Sequence, residues 1–105
     1  VFYNLFENSL KHGGEGLTTI RVSAKETEMG LMILYEDDGA GIPADQKGHL
    51  FDHEITPQRG LGMFLTGQIL SITGISIVET GVPGRGVRFE MLVPEGGYRK
   101  IPATL

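Results

Sequence analysis

Near the start of the chain, Asn4, Glu7, Asn8, Lys11 and His12 bring together side chains able to do chemistry. On a helix, spacings of three and four place Asn4, Asn8 and Lys11 on one face, polar within an otherwise apolar segment. A neutral amide oxygen such as that of Asn8 ligates Mg²⁺ without overcharging a site, and a lysine neutralises a phosphate oxygen. A solvent-facing polar stripe is the simpler alternative. Asp37, at the end of an apolar run, is open to two readings as well. A carboxylate there caps a turn, or, if buried, accepts a hydrogen bond from an exocyclic amine such as that of adenine.

Glycine occurs 16 times in the 105 residues, concentrated in Asp37-Asp38-Gly39-Ala40-Gly41-Ile42-Pro43 and in Arg59-Gly60-Leu61-Gly62-Met63. One such pair alone reads as an ordinary turn. Gly60 and Gly62, however, directly precede an apolar helical pattern, and the opening amides of a helix are unpaired and favour anions. The segment is not a P-loop, because no Gly-Lys-Ser or Gly-Lys-Thr follows it. Nor is it a dinucleotide fingerprint, because neither glycine loop is a strand-to-helix turn of the G-x-G-x-x-G form.

The elements that must position these residues can be read from periodicity. Val1, Phe2, Leu5, Phe6, Ser9 and Leu10 recur at helical spacing to about Lys11, and Gly13-Gly14 closes the pattern. Alternation over Thr19–Thr27 and the run Leu31–Glu36, joined through Met29-Gly30, predict a strand pair. Ala44–Leu50 suits a short helix after Pro43, whereas Phe51–Arg59 lacks a period, contains Pro57 and is expected to be a mobile loop. Gly60–Thr73 predicts a helix with Leu61, Phe64, Leu65, Ile69, Leu70 and Ile72 on its apolar face and Gly74 at its end. Ile75–Thr80 and Gly86–Val93, separated by the turn cluster at 81–85, suit a hairpin. This order predicts an α/β (α+β) two-layer sandwich, a mixed, mostly antiparallel sheet with helices on one face.

A chain of 105 residues has room for one domain and one core. With 40% apolar and 21% charged residues it reads as an ordinary folded, soluble protein. A formal charge of -4 without a basic stripe argues against nucleic acid, so any phosphate must be bound locally. The absence of cysteine removes disulfides, thiolate metal sites and cysteine nucleophiles, and fits a reducing compartment. A cytoplasmic location with no direct membrane contact is the expectation, and any anchor of the parent protein would lie outside this segment.

Together these segments resemble the nucleotide-binding domain shared by sensor histidine kinases, type II topoisomerases, a heat-shock chaperone family and mismatch-repair ATPases, the Bergerat-type ATP-binding fold. Asn4-Leu5-Phe6-Glu7-Asn8-Ser9-Leu10-Lys11-His12 is similar to the N box and Asp37–Pro43 to the G1 box. Leu50-Phe51 is similar to a reduced F box, and Gly60-Leu61-Gly62-Met63 to the G2 box. The resemblance implies ATP and Mg²⁺ as ligands, with Asn8 on the metal, Lys11 on the phosphates and Asp37 on the adenine amine. His12, Gly39, Gly41, Ile42, Phe51, Gly60, Leu61, Gly62 and Met63 would complete the nucleotide site. Phe51–Arg59 would be its lid, and Arg59 a contact to the γ-phosphate.

The ATPase branches and the anti-sigma-factor kinases typically carry a glutamate base where this chain has Asn4, whereas histidine kinases commonly carry asparagine there and a lysine at the position of Lys11. The resemblance therefore implies a histidine kinase, with Asn4, Glu7 and Lys11 as candidate catalytic residues. None of His12, His49 and His53 stands in the context of a phosphoacceptor. The acceptor is thus expected on a histidine-containing dimerisation domain preceding Val1, with a response regulator as the partner of the full-length kinase. The strand and first helical turns that usually precede the N box are missing, so the sheet is expected to lack an edge strand. An anti-sigma-type serine kinase and a non-catalytic partner-binding module of the same fold are the alternatives.

Overall fold

In the computed structural model, which describes residues 1–51 and 62–96, two β-hairpins supply a four-stranded sheet and two α-helices cover one of its faces. The order is α1 (Phe2–His12), β1 (Ile20–Thr27), β2 (Gly30–Asp37), a 3₁₀ helix (Ala44–His49), α2 (Gly62–Ile72), β3 (Ser76–Glu79) and β4 (Arg88–Pro94). In space the strands run β1-β2-β4-β3, and every described ladder is antiparallel. The expected element order and two-layer architecture are therefore present, with the sheet at the antiparallel end of the expectation. The expected loop Phe51–Arg59 lies, apart from Phe51, outside the described residues.

Strand alternation decides which side chains meet the helices. Tyr35 of β2 pairs with Phe89 of β4, and Ile33 with Met91, so these four share a face. Tyr35, Phe89 and Met91 pack there with Leu5 of α1 and Met63 and Leu70 of α2. The rings of Tyr35 and Phe89 meet at a tilt with centroids 6.4 Å apart, and Phe51 approaches Phe89 edge-on.

The helices bury narrower faces than their periodicity predicts. On α1 the buried residues are Leu5 and Ser9, while Phe2, Phe6 and Leu10 are exposed. The helix turns Asn4, Asn8 and Lys11 to a cavity on one flank, and only the stripe beneath reaches the sheet. On α2 the buried set is Met63, Thr66 and Leu70, whereas Leu65, Ile69 and Ile72 of the expected apolar face are exposed. A helix that is apolar nearly all round carries no face signal in its period. Its end is as expected: Gly74 takes φ 76°, its amide meets the Ser71 carbonyl, and the Ile75 amide meets the Leu70 carbonyl. These are the two bonds of a Schellman stop.

The 3₁₀ helix is held to the β3–β4 hairpin by charge. Lys47 Nζ lies 2.7 Å from Glu79 Oε1 and also donates to the Gly81 carbonyl. Glu79 Oε2 accepts the amides of Gly81 (2.9 Å) and Arg88 (3.0 Å), and its side chain is 1% exposed. Removing the cation leaves a buried carboxylate without its counter-charge. Lys47→Met is expected to cost on the order of 3 kcal/mol in a chemical denaturation curve.

Candidate functional site

Between the polar flank of α1 and the loop after β2 lies a cavity of about 910 Å³, within the range of small-molecule sites. Its wall combines Asn4, Asn8, Lys11 and Asp37 with the apolar Leu5, Ile42, Leu50, Met63, Val87 and Phe89. Polar groups thus line a pocket with an apolar floor, suited to a ligand that has both a ring and charged groups.

Asp37 is the most constrained of these residues. Its Oδ1 accepts the amides of Gly39 and Val87, each at 3.0 Å, and its Oδ2 accepts the Ser9 hydroxyl at 2.7 Å. Ser9 Oγ is in turn 2.8 Å from the Tyr35 hydroxyl. Burial raises the Tyr35 phenol above its ordinary 10.0, an effect the hydrogen bond to Ser9 opposes and the Asp37 charge reinforces. An ionised carboxylate offers about four lone-pair positions, so three bonds leave one, on Oδ2.

Alternation at the strand end turns the neighbouring Asp38 away from this network. Its carboxylate accepts the amides of Thr18 (2.8 Å) and Thr19 (2.9 Å) and the Thr18 hydroxyl. Those bonds, the Thr18 hydroxyl first, lower its pKa from 3.8 to about 2. The two adjacent acids thus divide their work, Asp37 at the cavity and Asp38 tying the approach to β1.

On α1, the Asn4 amide donates to the Gly62 carbonyl at 3.2 Å and to the Thr66 hydroxyl at 3.0 Å, fixing the start of α2 against α1. Asn8, one turn further on, has no hydrogen-bond partner among the described residues and stands on the cavity wall with its amide free. Lys11 and Glu7 reach the cavity from the exposed side of the helix. Burial, then the Lys11 charge, hold the His12 imidazole below 6.5, so it is neutral at pH 7 and Lys11 is the only cation of the described lining.

Of the expected site residues, Asn4, Glu7, Asn8, Lys11, His12, Asp37, Gly41, Ile42, Gly62 and Met63 line the cavity together. Gly39 and Phe51 do not. A Cβ on Gly39 would stand 2.7 Å from the Gly13 carbonyl oxygen, so this glycine serves the close passage of the loop across the end of α1. Phe51 packs on Phe89 and against Gly67 instead. Arg59, Gly60 and Leu61 lie outside the described residues.

Several lining residues escaped sequence reasoning. Val87 and Phe89 come from the last strand and its approach, far from Asp37 in sequence. Ser9 falls on the apolar face of the helical pattern, and its polarity at that core position is the signal that marks it. Gly86, outside the lining itself, stands in the sequence pattern simply as the start of a strand. It has φ 114°, and a Cβ there would lie 1.9 Å from the Asp37 carbonyl oxygen, so its bare backbone lets Val87 reach the carboxylate.

The comparisons with known proteins bear on the family and the fold. The family model described as "Histidine kinase-, DNA gyrase B-, and HSP90-like ATPase" matches residues 1–97. The chain belongs to this family. More particularly, its relatives include sensor histidine kinases. It is 37% identical over 99 residues to the alginate biosynthesis sensor protein KinB of Pseudomonas aeruginosa, covering 90% of this chain and 16% of KinB. It is 32% identical over 105 residues to the sensor histidine kinase ZraS of Escherichia coli O157:H7, covering 97% of this chain and 23% of ZraS. The chain therefore spans less than a quarter of either relative. Among solved structures, the ATP binding domain of PrrB from Mycobacterium tuberculosis superposes with a TM-score of 0.68 at 26% identity, over 87% of this chain and 61% of that one. Among the described residues, no helix is long and apolar enough to cross a membrane.

Two outcomes follow from the site. Gly86→Ala is expected to cost on the order of 3 kcal/mol by denaturation, from strain and a backbone clash together, and to weaken any ligand that depends on Asp37. The Asp38 carboxyl should titrate near 2 by NMR. Because its folded pKa is depressed, its contribution to stability is present above 3.8 and is lost as pH falls through about 2; Asp38→Asn should remove that pH dependence.

Proposed function

We propose that the domain binds Mg²⁺-ATP in this cavity and presents the γ-phosphoryl group to a histidine on a dimerisation domain elsewhere in the parent protein, from which a response regulator is then phosphorylated. The carrying observation is the arrangement of the lining, in which Asp37 keeps one acceptor position free, apolar residues surround it, and the Asn8 amide and Lys11 share the wall. In this reading Asp37 accepts a hydrogen bond from the adenine amine, and Ile42, Met63 and Phe89 exclude water from the base. Asn8 supplies a neutral oxygen to the metal, and Lys11 neutralises phosphate charge.

No group of three or more His, Cys, Asp or Glu able to hold a metal is found among the described residues. A cation at Asn8 would therefore take its remaining ligands from phosphate oxygens and water, the usual arrangement for Mg²⁺. When bound, it would neutralise charge developing on the phosphates. Met63 and Gly62 place the start of α2 at the cavity, where the positive end of the helix dipole favours an anion. Glu7 is the second lining carboxylate beside Asp37 and in this reading assists a proton transfer.

Transfer rather than hydrolysis fits the engagement of Asn4. Its amide holds Gly62 and Thr66, and an amide cannot act as the base that activates water. Phosphoryl transfer relies mainly on positioning and charge neutralisation, which the remaining residues offer. The same feature favours the histidine kinase over the serine kinase, while Asn8, Asp37 and the paired glycines argue against the non-catalytic module.

Calorimetric titration with ATP and GTP, each with and without Mg²⁺, tests this reading. Selective, Mg²⁺-dependent ATP binding is expected, and no binding by the folded domain would overturn it. Asn8→Ala should weaken Mg²⁺-ATP by roughly tenfold or more and Mg²⁺-free ATP much less. Asp37→Ala should weaken every adenine nucleotide, by roughly ten- to a hundredfold.

A further inference from the structure

We infer that the Tyr35 hydroxyl, acting through Ser9, is a specificity-setting positioning group that makes the base pocket accept a 6-amino purine and reject a 6-oxo purine. The inference rests on the proposed nucleotide site and concerns two residues that the nucleotide need not touch for its phosphates to be held.

The hydrogen-bond chain Tyr35–Ser9–Asp37 runs in one direction. An ionised Asp37 has no hydrogen to give, so the single Ser9 hydrogen points to Oδ2, 2.7 Å away. Tyr35 lies 2.8 Å from Ser9 Oγ and has Ser9 as its hydrogen-bond partner among the described residues. Tyr35 is 2% exposed, and burial pushes its phenol pKa up. A buried hydroxyl hydrogen without an acceptor is costly, so Tyr35 donates to Ser9 and holds the serine hydrogen on Asp37. With both amides already on Oδ1, what Asp37 shows the cavity is a lone pair. A 6-amino group donates to it; a 6-oxo group repels it.

Ser9 itself lines the cavity, and there the tyrosine hydroxyl exerts its effect. Without that donor, the serine hydroxyl is free to swing from Asp37 toward a ligand carbonyl, and the pocket gains a way to accommodate the oxo base. Buried polar groups that must stay paired discriminate between ligands more sharply than apolar contact does. The ring of Tyr35 belongs to the core, so Tyr35→Phe removes the hydroxyl and leaves the packing with Phe89 in place.

The test is calorimetric titration of the wild-type chain, Tyr35→Phe and Ser9→Ala with ATP and with ITP, whose bases differ in the 6-substituent and in the hydrogen that the oxo base carries on N1. Wild type is expected to prefer ATP. In Tyr35→Phe the ratio of ATP to ITP affinity should fall by roughly three- to tenfold, with ITP binding held or improved. Ser9→Ala, which removes the hydroxyl that would turn to an oxo base, should keep the ratio at or above the wild-type value. Equal proportional weakening of both nucleotides in Tyr35→Phe would mean a merely structural hydroxyl and would overturn the inference. A wild-type ratio retained in Tyr35→Phe, or a fall in Ser9→Ala as large as in Tyr35→Phe, would overturn it while leaving the proposed function standing. A wild type that bound both equally would overturn the inference alone, and one that bound neither would overturn both.

Discussion

The Asp37 carboxylate is the junction on which the cavity depends. One side chain gathers the Ser9 hydroxyl from α1, the Gly39 amide from the loop that follows β2, and the Val87 amide from the approach to β4. These are charge-assisted bonds in a partly buried setting, stronger than neutral ones. The carboxylate therefore does more than offer an acceptor to a ligand. It sets the distance between the helix and the sheet edge that form the two sides of the pocket.

Around that junction, polar groups sit where a packed core would ordinarily be apolar. Ser9 and Thr66 are fully or nearly fully buried, and each is satisfied by a partner from another element. Thr66 receives the Asn4 amide, and that bond sets α2 against α1. Buried polar groups impose a specific arrangement because a displaced partner leaves them unpaired. The start of α2 is thereby fixed relative to the α1 face that carries Asn8 and Lys11.

The outer rim is organised by a separate cluster. Lys47 on the 3₁₀ helix and Glu79 at the end of β3 form an ion pair, while two backbone amides satisfy the other oxygen of the carboxylate. This joins the segment carrying Gln46 and Leu50, both cavity-lining, to the β3–β4 hairpin. Together with Asp38, which binds Thr18 and Thr19, it gives the loops defined geometry without regular secondary structure.

The sequence by itself determined the elements and their order, because alternation, helical spacing and glycine stops are local signals that tertiary context reinforced here. It also determined the chemistry of the polar stripe: Asn4, Asn8 and Lys11 share a face on any helix, and that face does line the cavity. Tertiary structure alone decided which faces were buried. The period of α2 was apolar all round, and Phe2, Phe6 and Leu10 of α1 lie outside the stripe that meets the sheet. It also decided the company of Asp37. The bond to Val87 crosses fifty positions of chain and requires Gly86 to come within van der Waals distance of a backbone carbonyl. No local pattern encodes such a contact, because it depends on β4 pairing with β2 in one register.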